Sequence, residues 1–194
     1  MPSYRGPVLG EPLPIELHNT RYAVRGGAVD GLADVAGLRA WLAAIADRLP
    51  AGAGYPDADD LEDFRAVRAA VREALQAALE RRSISDAALA ALNRVSARSP
   101  RSLRLVRDGR GAASEVRHHA PTATDLVLGV IASSAIELVA GPRAADLRAC
   151  GAPGCVLMFL KDHPRREWCS AACGNRARQA RHYARSRGER ADRP

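Results

Sequence analysis

The sequence predicts an α+β fold: a mostly helical N-terminal domain with one β-hairpin, then a small cysteine-bearing module ending in a basic helix. Three observations carry that expectation. Apolar residues recur at helical spacing through residues 34–95 and 124–140, whereas residues 102–119 alternate between apolar and polar. All four cysteines lie between positions 150 and 173. Charge is split as sharply: residues 1–142 carry 17 Arg against 17 Asp plus Glu, while residues 143–194 carry 12 Lys plus Arg against 5 acids, which is the whole chain's +7.

The body is assigned to residues 1–142 and the module to 143–194. The opening is rich in Pro and Gly and reads as extended up to Pro14; residues 14–20 suit a short helix or a strand, with helix favoured. Gly26, Gly27 and Gly31 mark a loop. Asp34 is placed to cap a helix whose inner face is Val35, Leu38, Trp41, Leu42, Ile45 and Leu49, stopped at Pro50. A second long helix begins near Asp59 and Asp60, with acids in its first turn and Arg81 and Arg82 at its end, as the helix dipole favours. Ser85 opens another, with Leu89, Leu92 and Val95 inward. A hairpin over 102–119 turns near Asp108 and Gly109. Thr122 or Thr124 then caps a strongly apolar helix through Leu126, Val127, Val130, Ile131, Ile136 and Val139, stopped by Gly141 and Pro142. This is the expected central helix of the body.

The cysteines are spaced Cys150-x4-Cys155, then thirteen residues, then Cys169-x3-Cys173. Paired cysteines with short spacers can converge as thiolates on one tetrahedral Zn²⁺, and four leave no open position, so the site is structural. Two disulfides are the competing reading, disfavoured in a reducing cytoplasm. Iron–sulfur clusters also take four thiolates, but with other spacers. A module of about 50 residues needs such a staple. If the metal folds the module alone, chelation should melt residues 150–187 and leave the body folded.

Gly151, Pro153 and Gly154 suit a tight turn between the first two ligands, followed by an apolar strand at 156–160 and a turn at 161–166. Ser170 is a candidate N-cap that puts Cys173 in the first turn of a helix over 171–186. Knuckle, hairpin and helix in that order predict a treble-clef-like zinc finger. On the helix, Cys173, Ala177, Ala180 and Ala184 form a small inner stripe, while Asn175, Arg178, His182 and Arg185 form the opposite one, with Arg181 on its flank. Such a face can enter a DNA major groove, arginine meeting guanine edges or phosphates and asparagine meeting adenine. The plainer alternative is a solvated helix face. Zinc with four thiolates carries about −2, so the metal-bound module keeps about +5, enough for salt-dependent binding.

The run Trp168-Cys-Ser-Ala-Ala-Cys-Gly-Asn-Arg176 resembles the CGNR zinc-finger family, whose signature stands here as Cys173-Gly174-Asn175-Arg176. The body resembles the ABATE domain usually joined to that finger, through an early Asn-Thr in an apolar segment, here Leu17-His18-Asn19-Thr20-Arg21. Many CGNR fingers have four residues between the last two cysteines, where this chain has three. The resemblance implies a bacterial, stress-induced transcription regulator that binds double-stranded DNA, with the four cysteines as zinc ligands and Asn175 and Arg176 as motif residues serving either the helix start or DNA. It implies a sensor or partner-binding role for the body.

Together these readings predict a cytoplasmic regulator, nucleoid-associated when bound to DNA, with one structural zinc. A small-molecule or protein ligand for the body and homodimerisation are further expectations. A finger that docks a protein or RNA as an adaptor is the alternative. No secretory leader and no run of 18 apolar residues is apparent, so no membrane role is expected. No Ser-His-Asp set, phosphate-cradling glycine loop or His-x-x-x-His pair emerges, so no enzymatic activity is expected; a pocket of ionisable groups around Asn19 and Arg21 would favour one. His118 and His119 point to opposite faces of a strand, and Asn19 suits a buried hydrogen-bonding role. The acidic run Asp57, Asp59, Asp60, Glu62 and Asp63 suits a solvated helix start.

Overall fold

The computed structural model describes residues 3–191 other than 26, 52, 53, 55–57 and 110. Its first helix, α1 (Leu13–His18), starts at Pro12 and is buried at all six positions. A helix this short is not stable by itself, and tertiary packing holds it. The carboxylate of its fully buried Glu16 accepts from the backbone N–H groups of Leu9 (3.0 Å) and Glu11 (2.7 Å) and pairs with Arg48 (3.2 Å). Burial raises the Glu16 pKa, and these partners offset that rise only in part.

Strands β1 (Arg21–Val24) and β2 (Gly27–Asp30) then pair antiparallel, with Arg21 opposite Asp30. The sequence predicts a loop here and one hairpin in the body; among the described residues the body has two. The missed strands are four residues each and bury neither face fully, so no alternation marks them. Helix α2 (Val35–Ala44) is capped by Asp34, whose side chain accepts from Gly37 N–H at 2.7 Å. The expected helical run to Leu49 ends early. Beyond Ile45 the chain tightens into a 3-10 turn (Ala46–Arg48) that brings Arg48 onto Glu16 and the Glu11 carbonyl.

Helix α3 (Ala58–Glu80) begins where its acids predicted, and Asp57 of the acidic run lies outside the described residues. Glu62 pairs with Arg65, and Asp63 with Arg98. Helix α4 (Asp86–Ser96) is capped by Ser85, as expected, but buries Ala88, Leu92 and Val95. Leu89 is 50% exposed, because it lies about 100° off that stripe. Strands β3 (Arg101–Asp108) and β4 (Gly111–His118) form the predicted hairpin, in register Leu103↔Val116. His118 and His119 are engaged locally, with Ser99 and Ser102.

Thr122 caps α5 (Ala123–Ala140), accepting from Asp125 N–H at 3.0 Å. With 18 residues and a mean hydropathy of 1.7, α5 is long and apolar enough to cross a membrane. In this fold its buried residues, among them Leu128, Ile131 and Ala135, join Trp41, Phe64, Val71 and Leu75 in the body's core. Each fully buried Leu or Ile there contributes about 2 kcal/mol. After a 3-10 turn (Pro142–Asp146) come β5 (Leu147–Ala149), β6 (Met158–Leu160) and α6 (Ala171–Ala191). Strand β6 is buried on both faces. Met158 and Leu160 join the body's core, whereas Phe159 between them packs with the cysteines.

Candidate metal centre and nucleic-acid face

Hairpin β5–β6 carries the first two ligands at its tip. Cys150 N–H donates to Leu157 O (2.9 Å), continuing the ladder, and Cys155 N–H donates to Ala152 O (2.9 Å), closing the knuckle. Gly154 sits at φ +70, where a side chain would be strained. The other two ligands flank the start of α6. The Ser170 hydroxyl accepts from Cys173 N–H at 3.3 Å, the cap predicted from sequence, so Cys173 faces inward from the first turn.

All four Sγ atoms lie within 4.8 Å of one another. The Cys155–Cys169 and Cys155–Cys173 separations are 3.8 Å and Cys169–Cys173 is 3.4 Å. Tetrahedral zinc with Zn–S of about 2.3 Å requires S···S of about 3.8 Å. A disulfide requires about 2.05 Å, and all four cysteines are free. The donor set therefore fits one zinc ion, and among the described residues no second such group of ligands occurs. Cys155 is pulled down to about 5 by a hydrogen bond from Cys169; Cys169 is pushed up by holding that proton and by burial, and Cys150 is raised mainly by burial. Four thiols this close cannot all ionise until a cation balances them.

The CGNR residues divide between the cluster and the surface. A Cβ on Gly174 would come within 2.9 Å of Trp168 Cδ1, so glycine lets the indole lie against the helix start. Arg176 donates to Cys173 Sγ at 3.1 Å, turning a cation towards the thiolates. Asn175 is exposed and accepts from Arg178. Arg178, Arg181, His182 and Arg185 are exposed as well, and with Gln179 and Ala184 they line one continuous depression along α6. Gln179 and the 70% exposed Tyr183 sit among these residues without any signal in the sequence that marks them. The small inner stripe holds for only two turns: Ala177 is buried and Ala180 half-buried, but Ala184 is exposed. Beyond Ala180, residues 181–185 are all exposed.

Three polar groups, of which only Asn19 is marked in the sequence, fasten the finger to the body. Asn19, fully buried, donates to Met158 O and accepts from Met158 N–H, both at 2.9 Å. Its structural role matches the expectation, but its partner is a strand 139 residues away. Glu11 accepts from Leu160 N–H at 3.0 Å and pairs with Arg166 at 2.6 Å. Arg166 also donates to the carbonyls of Leu160 and Cys169 and stacks over Phe159 at 4.8 Å.

The fold and site define a helical domain joined to a four-cysteine zinc finger that ends in a basic helix. Comparison with protein-family models agrees: residues 11–142 match ABATE, described as a putative stress-induced transcription regulator, and residues 147–186 match the CGNR zinc finger. The first match spans more than half of the chain, so this protein belongs to the ABATE family and carries a CGNR zinc finger. None of the curated proteins matches it.

Proposed function

We propose that this protein is a non-enzymatic transcription regulator that binds double-stranded DNA through α6, with the body reporting a signal or partner. The observation that carries the reading is the exposed basic face. Asn175, Arg178, Arg181, His182 and Arg185 are all exposed on a helix held at its base by the metal cluster. Twenty-one residues give a helix of about 30 Å, long enough to lie along a major groove. Arg176, engaged with Cys173, supports the cluster in this reading.

The test is selection of duplexes from a random pool, followed by anisotropy titrations at two salt concentrations. A preferred duplex sequence should emerge. Arg178→Ala and Arg181→Ala should each weaken binding, and a lost phosphate contact should flatten the salt slope by about one unit. Equal affinity for any duplex and for RNA would favour the adaptor reading instead. Undiminished binding by a zinc-free Cys150→Ser/Cys155→Ser protein would refute both.

A further inference from the structure

The body is neutral overall, yet it gathers arginines in one place. Arg65, Arg68 and Arg72 stand at i, i+3 and i+7 of α3 and so share one helix face. With Arg21 from β1 they line a cleft of about 350 Å³. Ala69 lies among them, so its floor is a methyl group rather than another long side chain. The cleft is large enough for a small ligand.

Two of the four guanidinium groups are already fixed. Arg68 is buried, held by Asp30 through two hydrogen bonds (2.5 and 2.7 Å) and by Thr20 Oγ1 (2.9 Å). Arg65 donates to the carbonyls of Leu32 (3.0 Å) and Ala33 (2.7 Å) and pairs with Glu62. Arg21 reaches Asp30 only at 3.9 Å. Arg72 makes no hydrogen bond or ion pair with any described residue. One oxygen of the acid lining the cleft, Glu73, pairs with Arg82 at 2.8 Å, while its other oxygen is buried without a hydrogen-bond partner among the described residues; against it stand four arginines. Positive charge therefore exceeds negative here, with two fixed guanidiniums and two adjustable ones. That surplus is felt behind the cleft: burial foremost, then Arg72 and Arg68, hold the His18 ring neutral.

We propose that this cleft is a binding site for the phosphoryl group of a small phosphorylated ligand or of free phosphate, clamped by Arg21 and Arg72 over the fixed Arg65 and Arg68. A dianion is the partner that relieves several converging guanidiniums, and the planar fork of arginine pairs with phosphate oxygens two at a time. The side-chain groups already in place reduce the ordering cost of binding. The far side of the site touches the finger's anchor. Arg68 bonds Thr20, and its neighbour Asn19 holds Met158 of β6. An effect of the ligand on DNA affinity rests on the function proposed above; the binding site itself does not.

The experiment is thermal unfolding and calorimetric titration of the full-length zinc-loaded protein, without DNA, at constant ionic strength. Inorganic phosphate and glucose 6-phosphate are the two probes. At about 100 times Kd either probe should raise Tm by about 5–10 °C. If only glucose 6-phosphate does so, the source is an ester; if both do, phosphate suffices; either result supports the site. The rise should vanish in Arg21→Ala/Arg72→Ala, which should fold as well as the parent without ligand because both side chains are exposed. It should persist in Arg178→Ala/Arg181→Ala. No rise with either probe, a rise that survives in the cleft variant, or one lost in the α6 variant would overturn the proposal.

Discussion

The two faces of β6 belong to two different cores. Met158 and Leu160 enter the body's core, built from some two dozen apolar side chains around α3 and α5. Phe159 enters the finger's core, which has seven buried residues, three of them cysteines. The first core is stable by apolar burial. The second is too small for that and needs a metal. Because the strand alternates between them, they are not independent. A zinc ion in the finger would therefore also hold in place a strand that the body uses as its own wall.

The largest test of that contrast is removal of the metal. Structural zinc sites contribute about 10–16 kcal/mol to the folding of isolated fingers. If the finger stood alone, chelation would melt it and spare the body. With β6 shared, chelation should also lower the Tm of the α-helical transition followed by circular dichroism, and hydrogen exchange should speed up at Leu17–Thr20 as well as at 147–173. A body transition indifferent to chelator would show the cores to be separate.

Next is the joint. Asn19→Ala strands the N–H and carbonyl of Met158 in a buried place and should cost about 2–5 kcal/mol in urea unfolding. A loss below about 0.5 kcal/mol would mean that the two cores are coupled by apolar contact alone.

A third test is acidification. His18 is buried beside the joint, and its pKa is pushed down to about 4 from 6.5, mainly by burial. Between those values the unfolded chain takes up a proton that the folded one refuses. Stability should therefore be flat above about pH 6.5 on this account and fall towards pH 4, by up to about 3 kcal/mol. Subtracting the curve of His18→Gln isolates this component from the acid sensitivity of the thiolates. Identical curves would place the titration elsewhere.

The smallest expected effect lies within the finger. Gly174→Ala pushes a methyl to 2.9 Å from Trp168 and should cost about 1–2 kcal/mol, with a change in indole fluorescence. The body's unfolding should follow only to the extent that β6 is disturbed. Unchanged fluorescence and stability would mean that the indole moves aside freely.

Much of this was legible because it is local. Asp34, Ser85 and Ser170 each cap the helix expected of them, and Thr122 rather than Thr124 caps α5, since a cap is a bond between residues three positions apart. The hairpin at 101–118 announced itself by alternation, and the metal site by paired cysteines. The first hairpin was illegible because four-residue strands with no fully buried face leave no pattern. Leu89 was misplaced because helical phase over three turns cannot separate a leucine from an alanine one step away. The inner stripe of α6 was overextended because spacing says which residues share a face, not how far the neighbouring surface reaches.

The helical body, the four zinc ligands and the basic outer face of the last helix can all be read from periodicity or short spacing. Only the tertiary structure decided that Asn19 and Glu11 grip the finger, that Arg166 bridges back to Glu11, and that Arg21 meets three arginines of α3. Distance along the chain separates the two kinds of feature. Pairings between residues some 40 to 155 positions apart are chosen by how whole elements pack, and nothing local records that choice.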